Sequence, residues 1–437
     1  MIIKIKPLFL FYNCIFKRFQ LIPKNTKNNE IILKKIKIFN DPIYGFIMIQ
    51  SAIVFKIIEH TYFQRLRRIS QMGLSYLVYP GAHHTRFHHA LGGVYLMQKA
   101  IDTLRLKNVV INKEEEEALY IAILLHDIGH GPFSHSLENS IVKNLNHEEI
   151  SLHFMEFLNK EFEGKLSLAI QIFKKEYPRN FMHQLISSQL DMDRLDYLKR
   201  DSFYSGVAEG NINSERLITM LNVKNENLVI DIKGIYSVEK FIVARRLMYW
   251  QVYLHKTSLV AENILVKILK RAKELTQKGE KLESSESLNY FLKSNITKIN
   301  FDEHTLDIFS KLDNYDIISA LKSWCNHNDF VLSSLCKSII DRRLPKVEMQ
   351  NQKFHENYFH EIQKKAMQSL SLTREQLPYF VFKGAVSNQA YNAVNEKINI
   401  LHKNGEITDI VSASDNLSLG ALSNSVTKYF ICYPKSF

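Results

Sequence analysis

Beyond about residue 50, hydrophobic residues recur every three or four positions, which is the spacing of amphipathic helices. In "EEEEALYIAILLHDIGH", Asn112 can cap the helix, glutamates occupy the first turn where the helix dipole favours anions, and Gly129 and Gly131 can end it. The segments "YDIISALKSW" and "FVLSSLCKSIIDRR" predict further amphipathic helices. A stretch without proline or glycine from about 238 to 278 predicts one long helix.

Two regions instead show strand patterns. The segment "KIKIFNDPIYGFIMIQ" predicts a hairpin around an Asn-Asp-Pro turn. After about Pro378, "YFVFKGAV" and "YFICYP" predict strands, and "NAVNEKINILHKNG" predicts a helix between them. We therefore predict a mainly α protein with a short N-terminal β-hairpin and a small α+β C-terminal region. The expected units are an extension without fixed structure (1–34), a core (35–275), a helical extension (276–375) and the α+β region (376–437).

The net charge of +12 is concentrated at the N-terminus. Residues 1–40 hold nine Lys/Arg and one acid, so they carry 9 − 1 = +8, and the rest of the chain carries +4. Nucleic acid is therefore a candidate partner of the basic tail alone. The apolar run "PLFLFYNCIF" in this tail is shorter than the roughly 20 residues that span a bilayer. We interpret it as an upstream extension, with a weak membrane-surface anchor as the alternative.

The four cysteines lie far apart and form no CxxC pair. A disulfide framework and a thiolate zinc site are therefore not expected, and a reducing cytoplasm fits the composition. We predict a cytoplasmic protein without a transmembrane segment.

Four segments concentrate side chains that bind metals. They are "HHTRFHHALGG", "LLHDIGHGPFSH", "LNHEEIS" and "QLDMDRLDYLKRDSFYSG". Imidazole with carboxylate suits Mn, Fe, Zn or Mg, whereas a single histidine is more often structural. The aspartate run also fits a solvated helix face, because Asp196 and Arg200 have ion-pair spacing. An apolar run leads into His126 and Asp127, where unpaired charge near a core is costly, so the co-occurrence favours a metal site.

In this order the segments "HTRFHHALGG", "LLHDIGHGPFSH", "NHEEIS" and "DMDRLDYLKRD" resemble the signature of the HD phosphohydrolase superfamily. More narrowly they resemble its deoxynucleoside triphosphate triphosphohydrolase (dGTPase-like) branch. The segments "FNDPIYG", "FQRLRRISQMG" and "RRLMYWQVYLHK" extend the resemblance over roughly residues 35–260. It implies a helical HD-domain core and hydrolysis of dNTPs to deoxynucleoside and inorganic triphosphate through a metal-activated water.

The resemblance also implies roles for individual residues. The implied ligands of one divalent ion (Mg, Mn, Fe or Zn) are His89, His126, Asp127 and Asp193. The implied acid–base residues are His130, Glu138 and His147. Triphosphate contacts are implied for Arg86, Arg194, Tyr197, Arg245 and Lys256, and deoxyribose contacts for Gln71, Asp201 and Tyr253, with Tyr253 excluding a 2′-hydroxyl by its bulk.

This chain departs from the family pattern at three positions. His88 stands where the family often has Glu, which makes it a rival ligand to His89. Glu138 replaces an Asp found in some members, and Arg194 replaces a Lys.

Two other functions compete with dNTP hydrolysis. One is an HD phosphohydrolase acting on another nucleotide or on nucleic acid. The other is a non-catalytic nucleotide sensor or nucleic-acid-binding protein on the same scaffold, since fold does not guarantee chemistry. The resemblance implies a dNTP substrate and a homo-oligomer, a dimer or tetramer, while the native metal, the preferred base and regulation stay open.

Overall fold

The structure is a computed structural model that describes residues 36–133, 142–393, 396–416 and 419–435. The predicted extension 1–34 and the predicted acid–base residue Glu138 lie outside the described residues. The segment Lys37–Phe437 groups as one compact unit.

Helices make up most of the described chain, as the hydrophobic pattern predicts. In chain order they are α1 (Ala52–Glu59), α2 (Thr61–Gln64), α3 (Arg86–Leu106), α4 (Lys113–Leu125), α5 (His147–Glu161), α6 (Ser167–Phe173), α7 (Asn180–Ile186), α8 (Met192–Ser205), α9 (Ser214–Thr219), α10 (Ile235–Met248), α11 (Lys256–Gln277), α12 (Glu286–Lys293), α13 (Glu303–Ser310), α14 (Asn314–Trp324), α15 (Phe330–Ile340), α16 (Glu356–Leu370), α17 (Leu377–Phe380) and α18 (Ile410–Ala413). A π-helical segment, Tyr249–Tyr253, follows α10.

The strands form small sheets. They are β1 (Lys37–Asp41), β2 (Gly45–Ile49), β3 (Val142–Lys143), β4 (Leu221–Lys224), β5 (Asn227–Asp231), β6 (Ile296–Thr297), β7 (Lys346–Gln350), β8 (Phe382–Asn388), β9 (Asn399–Leu401), β10 (Ile407–Asp409) and β11 (Val426–Tyr433). The predicted hairpin is β1–β2, with Ile38 opposite Met48. The other sheets have the orders β10-β9-β5-β4, β7-β11-β8 and β3-β6.

Helix α3 lies in the middle of the main core. It packs against α4 and α8, and its buried residues lie on several sides of the helix. A helix that is apolar on most sides is stable only when other elements surround it, so α3 organises the packing of its neighbours. A smaller apolar cluster, which includes Phe359, Ile362 and Ile431, joins α16 to the β7-β11-β8 sheet.

The predicted long helix from 238 to 278 is interrupted. Helix α10 ends at Met248, the π-helical segment follows, and α11 begins at Lys256. His255 caps the new helix, since its Nδ1 accepts a hydrogen bond from the Thr257 N–H at 3.2 Å. The break has no proline or glycine signal, which explains why the sequence pattern missed it.

The predicted helix within residues 392–405 is wrong. Residues Asn399–Leu401 form β9, which pairs in parallel with β5 through Ile230 and Ile400. Ile400 is completely buried in this ladder. The segment therefore forms a strand despite its helical spacing, because pairing with β5, which lies far away in the sequence, buries its apolar side chains.

The predicted strand at "YFVFKGAV" begins only at Phe382, because the preceding residues form α17. The predicted strand at "YFICYP" and the helices at 314–324 and 330–340 are present. Among the described residues, the helices lack the combination of length and apolar composition that a membrane span requires. The predicted domain boundaries at 275 and 375 stay predictions.

Gly92 tests how tightly α3 and α8 pack. A methyl group at this position would lie 2.0 Å from Oδ1 of Asp196 and 2.4 Å from Nη2 of Arg200, both buried. We expect Gly92→Ala to lower the free energy of unfolding by about 1–3 kcal/mol, because overpacking outweighs the better helix propensity of alanine. Urea denaturation measures this change.

The matched control is Gly420→Ala, whose methyl group would lie at an ordinary 3.6 Å from Val411. Gly420→Ala should leave the unfolding midpoint close to that of the wild type. A Gly92→Ala variant as stable as this control would contradict the packing of α3 against α8.

Candidate metal centre

His89 and His88 are adjacent on the first turn of α3 but have different partners. The Nδ1 of His88 accepts a hydrogen bond from the Thr85 N–H at 3.3 Å and lies 2.9 Å from its hydroxyl oxygen. His88 is therefore engaged in capping the helix. His89 is completely buried, and its Nδ1–H donates to Oδ2 of Asp196 at 2.7 Å. This bond leaves the Nε2 atom of His89 as the ligand atom.

His126 begins a tight turn, because α4 ends at Leu125. His126 and His130 therefore do not lie on one helix face, although they are four residues apart. The Nδ1–H of His126 donates to the Ile123 carbonyl at 2.7 Å, which leaves its Nε2 for a ligand. Sequence spacing could not show this, because it does not reveal where the last turn of a helix opens.

Two side chains from other segments hold this turn. Ser151 on α5 donates to the His126 carbonyl at 2.8 Å and accepts the Gly129 N–H at 2.9 Å. Both Nη atoms of buried Arg65 donate to the His130 carbonyl, at 2.8 and 2.9 Å. Gly129 is required here, because a methyl group would lie 2.2 Å from the His147 carbonyl oxygen.

The four predicted ligands lie together. The Nε2 atom of His89 is 3.1 Å from Oδ1 of Asp193 and 3.7 Å from Oδ2 of Asp127. The Nε2 atom of His126 is 3.5 Å from Oδ1 of Asp193 and 3.5 Å from Oδ1 of Asp127. Residues separated by more than 100 positions thus bring two imidazoles and two carboxylates to one point.

The residues present fit a divalent cation. The Nε2 atoms of His89 and His126 are buried, and neither has a well-aligned hydrogen bond among the described residues. Buried polar atoms normally have partners, so two such nitrogens that face carboxylates fit the ligand atoms of one cation. Imidazole nitrogen and carboxylate oxygen are common ligands of Mn, Fe and Zn. His89, His126 and Asp193 can offer ligand atoms within 4.8 Å of one another.

The charges of the cluster depend on one another. Burial lowers the pKa of His89, but the nearby carboxylates of Asp193 and Asp196 outweigh this and raise it to about 10. Burial raises the pKa of Asp127, yet the neighbouring His126, His130 and Arg86 hold it well below its ordinary value. Without a metal, protons on the imidazoles therefore balance the carboxylates.

A row of buried charged side chains, which we call the charge chain, holds the Nδ1 side of the His89 ring. Arg200 donates to both carboxylate oxygens of Asp196, at 2.9 and 3.0 Å, and also to Asp41 at 2.8 Å. Asp41 in turn accepts the N–H groups of Ile43 and Tyr44 in the hairpin turn. The interpretation of Asp196 and Arg200 as a solvated helix face is wrong, because both side chains are completely buried. Their helical spacing correctly predicts the pair, but it carries no signal of burial.

A second group lies on the other side of Asp127. Asp127, His130 and His147 can offer ligand atoms within 4.8 Å of one another, and Nε2 of His130 is 3.5 Å from Oδ1 of Asp127. The rings of His130 and His147 stack with centroids 3.8 Å apart. Burial and the charge of Arg86 lower the pKa of His130 well below its ordinary value, so this imidazole is neutral near pH 7.

Helix α8 places several predicted substrate residues on one face. Asp193, Tyr197 and Asp201 follow at intervals of four residues, so they lie one above another along the helix. The ring of Tyr253 packs edge-on against Tyr197 with centroids 5.9 Å apart. The Tyr253 hydroxyl donates to Oδ2 of Asp201 at 2.7 Å. We call these four residues, Asp193, Tyr197, Asp201 and Tyr253, the α8 wall. The wall starts at Asp193, one of the predicted metal ligands.

The predicted triphosphate contacts are less closely grouped. Arg86 forms an ion pair with Asp127 in the cluster, and Arg194 forms one with Asp191, just before α8. The guanidinium of Arg245 lies 5.9 Å from the ring centroid of Tyr249. Lys256 is exposed at the start of α11, and the structure gives it no contact with the other predicted residues.

Comparison with known proteins identifies the fold around this centre. A family model described as the HD domain matches residues 86–201, and one described as an HD associated region matches residues 212–317. The protein YwfO of Bacillus subtilis, described as uncharacterized, is 35% identical over 319 residues, which cover 71% of this chain and 72% of YwfO. The chain belongs to the HD-domain family. HD domains bind divalent metals, in agreement with the His/Asp groups above.

Two relatives carry more informative names. The crystal structure of a phosphohydrolase from Bacteroides thetaiotaomicron is 51% identical, with a TM-score of 0.89, over 92% of this chain and 100% of that chain. A deoxynucleoside triphosphate triphosphohydrolase SAMHD1 homolog from Dictyostelium discoideum is 29% identical over 269 residues. That alignment covers 57% of this HD-domain chain and 52% of the relative. The HD phosphohydrolase superfamily is therefore supported, whereas the substrate is not settled by these names.

Asp196 allows a test of the charge chain without removal of a ligand. Asp196→Asn weakens the partner of His89 Nδ1, and loss of such a partner typically lowers metal affinity 10- to 100-fold. We expect this variant to bind Mn²⁺ about 10- to 100-fold more weakly in isothermal titration calorimetry, with the ligands unchanged.

Asp231→Asn is the control, because Asp231 pairs with Lys107 and takes no part in the cluster. This control should bind Mn²⁺ like the wild type. Equal affinities of Asp196→Asn and Asp231→Asn would show that Asp196 does not support a metal ligand.

Proposed function

We propose that this chain is a metal-dependent hydrolase of deoxynucleoside triphosphates, which it converts to deoxynucleoside and inorganic triphosphate. The observation that carries this proposal is the convergence of His89, His126, Asp127 and Asp193 beside the guanidinium of Arg86. Similarity to a triphosphohydrolase of Dictyostelium discoideum supports the choice of substrate class.

The reaction requires attack of water on the α-phosphorus and departure of the 5′-oxygen. When bound, a divalent cation at these four ligands would lower the pKa of a water molecule and polarise a phosphoryl oxygen. Arg86 and Arg194 would hold phosphate oxygens, since a guanidinium offers paired N–H donors to such oxygens. Arg86 pairs with Asp127 of the cluster, and Arg194 pairs with Asp191 just before α8, and these ion pairs support the assignment.

The stacked histidines would handle the proton of the leaving group. His130 is neutral near pH 7, because burial and Arg86 lower its pKa, which suits a hydrogen-bond partner of water or substrate. His147 is less buried and lies against His130, so we assign to it the donation of a proton to the departing 5′-oxygen. Glu138 keeps the acid–base role that the resemblance implies, although it lies outside the described residues.

The first test is product analysis. Purified protein is incubated with each of the four dNTPs and with Mg²⁺, Mn²⁺ or Fe²⁺, and the products are resolved by ion-exchange chromatography. We expect deoxynucleoside and triphosphate, loss of turnover with EDTA, and recovery when the metal is restored. Asp127→Ala should lower turnover more than about 100-fold, since it removes a ligand rather than the support of one.

His153→Ala serves as the control, because His153 lies on α5 beside Phe301 and outside the two His/Asp groups. It should keep wild-type turnover. Release of pyrophosphate or orthophosphate would point to the competing class of HD phosphohydrolases. Binding of dNTPs without any product would point to the nucleotide sensor.

Tyr253 provides a test of sugar selection. We propose that its ring occupies the space of a 2′-hydroxyl, because it packs on Tyr197 and bonds to Asp201 along the α8 wall. Tyr253→Ala should raise the ratio of kcat/KM for a ribonucleotide over its deoxy counterpart by about tenfold or more. Tyr253→Phe keeps the ring and should keep the discrimination. If both variants discriminate like the wild type, bulk at this position does not select the sugar.

A further inference from the structure

Asn314 is a buried residue outside the two His/Asp groups, and the proposed reaction does not use it. It is 8% exposed and is the first residue of α14, so it belongs to the HD associated region and not to the HD domain. Its Oδ1 accepts the N–H of Phe133 at 3.1 Å, and its Nδ2 donates to the hydroxyl oxygen of Ser70 at 2.7 Å. One side-chain amide therefore joins two segments that are distant in the sequence.

Phe133 follows closely after the predicted acid–base residue His130. Its φ is +52°, in the left-handed region that residues other than glycine rarely adopt. Such a conformation persists only where the surrounding structure holds it. The Phe133 side chain is buried, and its N–H is bound by Asn314. The amide of Asn314 therefore contributes to fixing the path of the chain after His130.

Ser70 lies next to the start of α3. It pairs with Thr85 in an isolated antiparallel bridge, and the N–H of Arg86 donates to the Ile69 carbonyl at 3.0 Å. Helix α3 begins at Arg86, and His89 follows in its first turn. A displacement of Ser70 is therefore transmitted to Arg86 through the backbone.

The HD associated region contacts the turn after α4 at two further points. A methyl group on Gly131 would lie 3.4 Å from Cζ of Phe309 on α13. The guanidinium of Arg65, which binds the His130 carbonyl, lies 5.1 Å from the centroid of the Phe309 ring. Apolar packing is not directional, whereas a hydrogen bond is, so the bond from Asn314 places a backbone atom of this turn more closely than the packing does.

We propose that Asn314 is a positioning residue for the proposed reaction, because its amide sets the position of His130 relative to Arg86. His130 belongs to the segment that Asn314 binds through Phe133, and Arg86 adjoins the segment that it binds through Ser70. The reaction requires both groups, and a catalytic group acts only when it is held in the correct geometry. This inference rests on the proposed function. Asn314 itself takes part in no proton transfer.

The metal centre has separate support. The Nδ1–H of His89 is bound by Asp196 in the charge chain, and the Nδ1–H of His126 is bound by the Ile123 carbonyl. Loss of the Asn314 amide should therefore lower the turnover of bound substrate and leave the affinity for the metal unchanged. A residue that only stabilises the fold would change the amount of folded enzyme, but it would not change kcat for each metal-loaded molecule.

The experiment compares two substitutions of Asn314 with the wild type. Asn314→Leu has the same number of side-chain heavy atoms but no polar atom. Asn314→Asp keeps an acceptor for the Phe133 N–H, and its second oxygen can accept a hydrogen bond from the Ser70 hydroxyl, which rotates. Asn314→Ala serves if Asn314→Leu does not fold. For each variant, kcat and KM for the four dNTPs are measured per bound Mn²⁺, together with the Mn²⁺ affinity and the unfolding midpoint.

Thr305→Val is the matched control for a lost buried hydrogen bond. Thr305 is buried on α13, and its hydroxyl donates to Asp302 at 2.8 Å and lies 3.2 Å from the Tyr290 hydroxyl. Both partners belong to the HD associated region. This control should lower the unfolding midpoint and keep the kcat of the wild type.

We expect Asn314→Leu to lower kcat about 10- to 100-fold, because a displacement of about 1 Å can cost about 100-fold in rate. Its KM and its Mn²⁺ affinity should stay close to those of the wild type. Asn314→Asp should restore most of kcat. An equal loss of kcat in Thr305→Val, or no recovery in Asn314→Asp, would assign the effect to general destabilisation and overturn the proposal.

Ser70→Ala tests whether the amide acts as a bridge. This substitution removes only the bond toward α3 and should also lower kcat. Since residues that share one interaction have non-additive effects, the double variant Ser70→Ala/Asn314→Leu should have the kcat of Asn314→Leu alone. Additive losses would show that Ser70 and Asn314 act separately and would contradict the bridge.

The outcomes distinguish the two proposals. If the wild type releases no triphosphate from any dNTP, the proposed function fails and this inference fails with it. If the wild type hydrolyses dNTPs and Asn314→Leu, or Asn314→Ala in its place, keeps the wild-type kcat, only the role of Asn314 is refuted.

Discussion

The rest of the site depends on the hydrogen bonds that the carboxylate of Asp196 makes with His89 and Arg200. This carboxylate is completely buried, and it binds His89 on one side and Arg200 on the other. A buried charge without a partner costs several kcal/mol, so these three side chains can exist in the core only together. Helix α3, helix α8 and the hairpin that contributes Asp41 must therefore dock in one arrangement. The orientation of His89 is a consequence of this docking.

The turn after α4 is also held in place by side chains from other parts of the chain. This turn has two backbone hydrogen bonds of its own, from Ile128 N–H to Leu125 and from His130 N–H to Asp127. Ser151, Arg65 and Asn314 add side-chain partners from other segments. Burial lowers the pKa of Arg65 to about 9, which still leaves it charged near neutral pH. The turn that carries His126 and Asp127 is thus built by residues up to 180 positions away. Such support produces the precise geometry that a metal centre requires.

Much of the fold could be predicted from the sequence, because most helices carry their own signals. Asn112 caps α4 as predicted, with its side chain accepting the Glu115 N–H at 2.9 Å. The break before Lys256 and strand β9 could not be predicted, since the first has no glycine or proline and the second depends on pairing with β5. Long-range strand pairing leaves little trace in a local pattern.

The candidate site also has a part that could be predicted from the sequence and a part that could not. Residue types and order single out His89, His126, Asp127 and Asp193, and the structure gathers them at one point. The residues that hold them, such as Asp196, Arg200, Arg65 and Ser151, have ordinary surroundings in the sequence. Aspartate and arginine four residues apart are usually a surface pair, and only burial distinguishes this one. The roles of all these site residues, Glu138 and Lys256 included, are still predictions.

The parallel pairing of β5 with β9 has a consequence for synthesis of the chain on the ribosome. Ile230 pairs with Ile400, so β5, which already pairs with β4, acquires its second neighbour only after 170 further residues have been made. Until then β5 exposes an open edge in the nascent chain, where unpaired backbone groups invite association with other chains. Closure of such a distant contact slows folding. This edge of β5 therefore stays open from the synthesis of Asp231 until that of Leu401.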